Sequence, residues 1–553
     1  MIALNQVGYL TDAVKKAVLT KGNSFQVFQI VDGENKAVLE KKAEAFGMDE
    51  ASQDEVSIAD FSEITQAGIY FIKDNTGDIS YRFAIGDDIY QPLQKDLLKA
   101  LYYQRCGCAL EEKHAGVYTH ACCHTGEAKL WENHEISKEV NGGWHDAGDF
   151  GRYISPAAVA VAHLLYAYML FPESFQEEIN IPESGNGVPD ILNECRYELE
   201  WMLKMQDEEG GAYHKLTSAM HADFMMPEED KSQFYLFPVS SMATADYAAS
   251  MALASRVYAA YDKAFADKMM DAAKKAWSWL EKHPEYIGFK NPENCNTGEY
   301  DDVCDKDERL WAAAEMFVAT GEGKYQNVLK ELCKENLGKT DFGWTDVSGL
   351  ASMAILTDAK KQAEEGIRQE FRDIILAEAD RLVKLREECG YMVAMKPEDY
   401  VWGSNMVVLN RAMLMVLACT MLEKTETDEK NSEIEDSQLK MQKKLYENTA
   451  LAQMHYLLGT NAVGYSYVTG YGENAYKNPH NRPTECDGIE LPMAGWVSGG
   501  PSGIPYDETA IQNIPQGTPP MKCYLDHVMC YSLNEITIYW NSPAVFVTAY
   551  FNR

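Results

Sequence analysis

The chain has 553 residues, with 50 Lys or Arg against 85 Asp or Glu, a formal net charge of −35. A surface of that sign repels phosphate backbones and anionic headgroups, which excludes nucleic acid as a partner and argues against a membrane surface. The length exceeds what one hydrophobic core organises, so two domains, or a toroid with an appendage, are expected. No apolar run is read as approaching the roughly 20 residues of a membrane helix. The start MIALNQVGYL lacks a charged segment followed by an apolar one. Thirteen cysteines, odd in number and scattered, do not form a disulfide framework; a reducing, cytoplasmic location is expected unless a leader was trimmed.

The runs KKAVLT, SFQVFQIVDG, VSIADFSEI, GIYFIKDN and ISYRFAIGD, separated by Gly, Asn and Asp, predict a small β-sandwich over the first 85 or so residues. From about Leu93 the apolar spacing turns helical, over 156–170, 189–206, 240–262, 266–282, 307–319, 367–388, 404–424 and 439–458. Strands do not alternate with these helices, so the expected architecture is helix on helix, as a stack or as a closed ring of hairpins; periodicity does not choose between them. The acidic run TETDEKNSEIEDSQ, 425–438, is expected to be a solvated loop between two helices. The last hundred residues are loop-rich, and long loops within a domain often carry function.

The segment GGWHDAGDFGRY, 142–153, places His145, Asp146 and Asp149 on a glycine-flanked turn just before a helix. Cleaving a bond between sugars takes one group to protonate the departing oxygen and another to activate water or attack, and two Asp or Glu residues do this in most glycosidases. Asp146 and Asp149 offer the base. Glu535, in the apolar stretch SLNEITIYWNSPAVFVTAYF, offers an acid whose pKa desolvation would raise. Helix capping and turn formation for the Asp pair, and a partly exposed helix position for Glu535, are the competing readings. Cys106 and Cys108, then Cys122, Cys123 and His124, together with His145, supply thiolates and imidazoles suited to a closed tetrahedral zinc site; the competing reading is buried, merely packed side chains.

Taken in order, LNQVGYLTDAVKKAVL, GGWHDAGDFGRY, DERLWAAAEMFVATGE, HYLLGTNAVGYSYVTGYG followed by NPHNRP, and NEITIYWNS resemble the family 9 glycoside hydrolases, the cellulase family, in the subgroup with an immunoglobulin-like N-terminal domain. The resemblance covers nearly the whole chain and implies a mainly α fold: an (α/α)6 barrel over 89–553 preceded by an immunoglobulin-like β-sandwich over 1–88. It implies that Asp149 is the general base, that Asp146 helps hold the water, that Glu535 is the general acid and that the anomeric configuration inverts. His480 and Arg482 match the segment that contacts sugar hydroxyls, with Asn481 standing where the family has a second histidine. The resemblance also implies a structural zinc on Cys106, Cys123, His124 and His145, leaving Cys108 and Cys122 as non-ligands, and calcium at Asp307, Glu308 and Asp346. Trp311 is read as a sugar platform or as core. Acidic residues at the start of a helix also suit its dipole, which competes with the calcium reading.

The function expected is hydrolysis of β-1,4-glucosidic linkages in cello-oligosaccharides or related β-glucans. An exo-acting β-glucosaminidase on chitosan oligosaccharides, to which the negative charge is suited, and an inactive carbohydrate-binding scaffold are the alternatives. A zinc hydrolase is disfavoured, because four protein ligands leave the metal no place for water. Oligomeric state, and endo against exo action, stay open at this level.

Overall fold

Residues 1–20, 26–357, 363–423 and 433–553 are described by the computed structural model. In the first 85 residues, strands form two facing sheets. One runs Ile2–Ala3, Lys16–Thr20, Glu55–Asp60, Glu44–Met48; the other runs Gly8–Tyr9, Phe83–Ile85, Gly68–Asp74, Val27–Asp32, Ala37–Lys42. Alternation drives the pairing: Phe28 and Ile30 point inward from one strand and meet Ile72, Phe83 and Leu19, while Val27 and Gln29 are only partly buried and the register shifts at Ile30/Val31. Tyr9 sits at the centre, with Phe61 and Phe83 edge-on at 5.2 and 5.4 Å. The strands Ala37–Lys42 and Glu44–Met48 fall outside the predicted runs, because they lie at sheet edges and are largely solvated, without an apolar alternation to read.

The helices close into a ring. Ile154–Leu170 packs on Ser241–Tyr258, which packs on Lys306–Thr320, then Ser348–Thr357, Ser404–Leu422, Ile538–Phe551 and back to Ile154–Leu170. Each inner helix has an outer partner: Asp190–Met202, Lys263–Lys282, Gly323–Leu332, Glu365–Glu388, Glu433–Leu457 and Gln91–Tyr103 complete six hairpins. The sequence separates the two layers. Inner helices such as SMATADYAASMALASRVY are rich in Ala and Ser and buried on nearly every face, so small side chains let them approach closely. An outer helix such as Lys263–Lys282 buries one stripe, Phe265, Ala266, Met269, Ala273 and Ala276, and gives its charged face to water. The helices Gly323–Leu332 and Ser348–Thr357 lie outside the predicted segments; the second is buried on nearly every face and carries no helical periodicity to read.

Two expectations change here. Ser404–Leu422 is a 19-residue helix of mean hydropathy 1.6, long and apolar enough to cross a membrane by length and composition. Here it is an inner member of the ring, with 72% of it buried inside the protein. The acidic run begins outside the described residues, but from Glu433 onward it belongs to the helix Glu433–Leu457 rather than to a loop.

The hairpin alternation makes the inner helices parallel, so their N-termini share one mouth. Asp146 and Asp149 lie just before Ile154–Leu170, Glu535 just before Ile538–Phe551 and Trp402 just before Ser404–Leu422. A small sheet that sequence periodicity did not reveal joins Arg152–Tyr153 to Lys215–Ser218 and to Phe234–Leu236 at this mouth. The N-terminal sheets meet the ring through the motif LNQVGY. Asn5 Nδ2 lies 3.0 Å from the Tyr90 hydroxyl and from His455 Nδ1, and Gln6 Nε2 donates to the Gly464 carbonyl at 2.9 Å.

Candidate active site

The turn 142–151 is held by backbone contacts that its glycines permit. A Cβ on Gly148 would lie 1.8 Å from the His480 carbonyl oxygen, so only glycine lets the two segments touch. Arg482 N–H donates to the Gly148 carbonyl at 3.0 Å, His480 N–H to the Asn534 carbonyl at 2.9 Å, and Ile538 N–H to the Asp146 carbonyl at 2.9 Å. Three distant stretches, 146–149, 480–482 and 534–538, thereby become one block, and the sequence-predicted Asp146, Asp149 and Glu535 sit on it.

Their environments differ in kind. Burial would raise the Asp149 carboxyl, but a hydrogen bond and charge from His221, with Nδ1 at 3.1 Å, the Arg482 guanidinium and the Gly151 N–H outweigh it and hold it well below the usual carboxylate range. Glu535 is driven the other way: desolvation, then repulsion from Asp149 and Asp146, raise it well above an ordinary glutamate, against Arg482 and the Gly148 N–H. Asp146 is also raised, by burial first and by Asp149, although Tyr300 O–H donates to its Oδ2 at 2.5 Å; its Oδ1 has no protein partner. One ionised carboxylate and one retained proton, in a shared block, are what general base and general acid require.

His480 donates from Nδ1 to the Val528 carbonyl at 2.6 Å, and burial pushes its imidazole down to about 4, so at neutral pH Nε2 is an acceptor. Arg482 braces the mouth through two of its five N–H donors: Nε donates to Ala222 O and Nη1 to Gly148 O, each at 2.9 Å. Asn481 accepts from Thr484 N–H at 3.0 Å and caps the short helix Arg482–Cys486, a local role for the residue that departs from the family pattern.

Trp311 requires correction. It is 0% exposed inside the ring and its Nε1–H donates to Glu315 at 3.3 Å, so no sugar ring reaches it. Half-exposed rings lie elsewhere: Trp402 packs at 5.4 Å from Tyr531, whose ring lies 5.8 Å from His480, and Tyr506 continues the row at 5.7 Å from Trp402. Sequence reading also missed His221, Tyr300 and Asp526, whose carboxylate accepts from Lys477 N–H, Asn478 N–H and Asn534 Nδ2 and so ties the His480 loop to the residue before Glu535. None carries a local signal, since each acts on residues far away in the chain.

Cys106, Cys123, His124 and His145 come together, with one ligand atom of each within 4.8 Å of all the others. His124 Nδ1 lies 3.6 Å from Cys106 Sγ and 3.3 Å from His145 Nε2. Cys106 N–H donates to Gly143 O at 2.7 Å, and Gly107, at φ +78°, allows this approach where a Cβ would meet Gly142 N at 2.7 Å. His124 itself is held at φ +47°, unusual for a side chain with a Cβ. Cys122 is exposed and donates to Gly107 O; it and Cys108 stand outside the group. The second cluster differs from expectation in one member. Asp307 and Glu308 group with Asp302, whereas Asp346 accepts from Ser348 N–H at 2.9 Å and is not in the group. Both Glu308 oxygens are buried without a protein partner.

A closed ring of helical hairpins whose mouth gathers one carboxyl with a lowered and one with a raised pKa beside a row of open aromatic rings defines a glycoside hydrolase of the (α/α)6 class. The chain belongs to glycosyl hydrolase family 9: the profile of that description matches residues 90–548, and a second, described as a cellulase N-terminal ig-like domain, matches residues 1–77. A cellodextrinase of Butyrivibrio fibrisolvens is 43% identical over 99% of this chain and 98% of its own. The crystal structure of a single mutant of a thermostable endoglucanase from Alicyclobacillus acidocaldarius superposes with a TM-score of 0.90 at 33% identity, covering 100% of this chain and 99% of its own. A zinc-binding triple mutant of a family 9 endoglucanase superposes at 0.89 and 31% identity, covering 98% and 99%.

Proposed function

We propose that the protein hydrolyses β-1,4-glucosidic bonds of soluble cello-oligosaccharides with inversion at the anomeric carbon. The observation that carries this reading is the opposed perturbation of Asp149 and Glu535 on one hydrogen-bonded block. Asp149 takes a proton from the attacking water as the water's oxygen bonds to the anomeric carbon. Glu535 gives its proton to the glycosidic oxygen as that bond breaks. Asp146, fixed by Tyr300, offers its unpartnered Oδ1 to the water, and His480 Nε2 accepts from a sugar hydroxyl. Trp402, Tyr506 and Tyr531 supply apolar ring faces to stack sugars in a row leading from Glu535.

The similarity to a cellodextrinase supports short soluble chains as substrates. An inactive scaffold has no support, because both carboxyls are present and differently tuned, and nothing among the relatives favours glucosamine. Proton NMR of the first-formed product should show the α-anomer. Retained β-anomer would overturn the assignment of Asp149 as a base.

Two thiols and two imidazoles in one small group fit zinc, and the same reading makes Cys106, Cys123, His124 and His145 the ligands of a structural Zn2+. Four protein ligands leave no site for the hydrolytic water, so the metal supplies rigidity to the turn bearing Asp146 and Asp149. Three clustered carboxyls, of which Glu308 has both oxygens without a hydrogen-bond partner, suit a hard cation, and Asp302, Asp307 and Glu308 are the residues that would hold Ca2+.

A further inference from the structure

Resting on that zinc reading, we infer that Asp230 is a positioning residue that orients His124 for the metal and ties the loop bearing His221 to the metal site. The His124 ring has two faces of use. Nδ1 looks toward Cys106 and His145, while Nε2 looks away, to Asp230 Oδ2 at 3.2 Å. Both side chains are buried, at 2% and 3% exposure, so the contact is not competed away by water. A neutral imidazole carries one N–H. A carboxylate at Nε2 draws the proton there and leaves the Nδ1 lone pair for the metal. Phe234 packs on the same ring at 4.8 Å and limits its rotation.

Asp230 is itself held. Its other oxygen accepts from Ser232 N–H at 2.8 Å. It lies in an excursion of the chain whose ends are paired, Ser218 opposite Phe234 in the small sheet at the mouth. The same excursion carries His221, 3.1 Å from Asp149, and the Ala222 carbonyl that receives Arg482. The metal site would therefore grip the general base from two sides. One grip runs through His145 along the chain to Asp149, and the other through His124 and Asp230 to the loop whose His221 holds the same carboxylate.

The test compares zinc affinity and loop protection in the full-length wild type, Asp230→Ala and Asp230→Asn. Zinc affinity is read by competition of the folded protein with a chromophoric chelator. The expected result is a dissociation constant about 10- to 100-fold weaker for Asp230→Ala. Asp230→Asn, which keeps the shape and an acceptor but not the charge, should fall between. Hydrogen exchange over 219–232 should rise in zinc-free wild type toward that of Asp230→Ala. A loop tether with no part in metal binding would lower thermal stability and leave the zinc constant within twofold of wild type, and that outcome overturns the inference. Wild type purified from zinc-replete medium with clearly less than one zinc per chain fails the zinc reading itself, and this inference with it.

Discussion

Glu535 and Asp149 are both carboxyls near one reaction centre, yet their neighbours assign them opposite protonation. His221 and Arg482 stabilise the Asp149 anion, whereas burial first, and then repulsion from Asp149 and Asp146, penalise an anion at Glu535. Replacing either with its amide removes the proton transfer and little else. Asp149→Asn and Glu535→Gln should each lower kcat by about 10²-fold or more with an unchanged circular dichroism spectrum; a variant retaining a tenth of the wild-type rate contradicts its role. The pH profile follows with its sign. The base must be ionised, so activity extends into acid until pH falls through the lowered pKa of Asp149. The acid must be protonated, so activity declines as pH rises through the raised pKa of Glu535. His221→Ala removes the interaction that depresses Asp149, and the acid limb of kcat/KM should move up by about one unit or more. An unmoved limb would show that His221 does not tune the base.

At the scale of elements, the mouth depends on two loops touching where no side chain fits. Gly148→Ala puts a Cβ into the His480 carbonyl. It should reduce kcat severely while the ring still folds, because the strain falls on loops at the helix N-termini and not on the inner layer; the circular dichroism spectrum and kcat measured together check this. The aromatic row is proposed to act on substrate. Trp402→Ala should lower kcat/KM on longer cello-oligosaccharides by about tenfold, the loss expected from about 1–2 kcal/mol of ring contact, with little change in thermal stability since Trp402 is 40% exposed.

Across the whole molecule, the N-terminal sheets and the ring share a polar seam. Asn5, fully buried, bridges Tyr90 and His455 while its Oδ1 accepts from Val7 and Gly8 N–H. Asn5→Ala leaves several of these groups unpaired and should destabilise the protein by about 2 kcal/mol or more, read as a lower thermal midpoint. Activity of the folded enzyme should survive, because the seam lies away from the block that holds Asp149 and Glu535.

Much of this protein is legible in the sequence because it is written in local terms. Alternating strand residues, the stripes of the outer helices, and short motifs such as DAGD and NEITIYWNS each combine residue type with spacing over a few positions, and period and turn chemistry act over that range. The thiols and imidazoles were legible as a candidate metal set by residue type, but their spacing is irregular, and it took the resemblance to choose Cys106 over Cys108. Tertiary structure alone decided what depends on distance in space. Periodicity did not choose between a stack and a ring, because either buries the same stripes, and the ring is set by which inner helices pack on which. Trp311 and Trp402 are the same residue type, each near a helix N-terminus; one faces the packed interior and the other the mouth, a difference fixed by which side of the helical ring each side chain leaves. His221 on Asp149 and Asp230 behind His124 are pairings between remote segments. Only the closed ring and the small sheet at its mouth bring those segments within hydrogen-bonding distance.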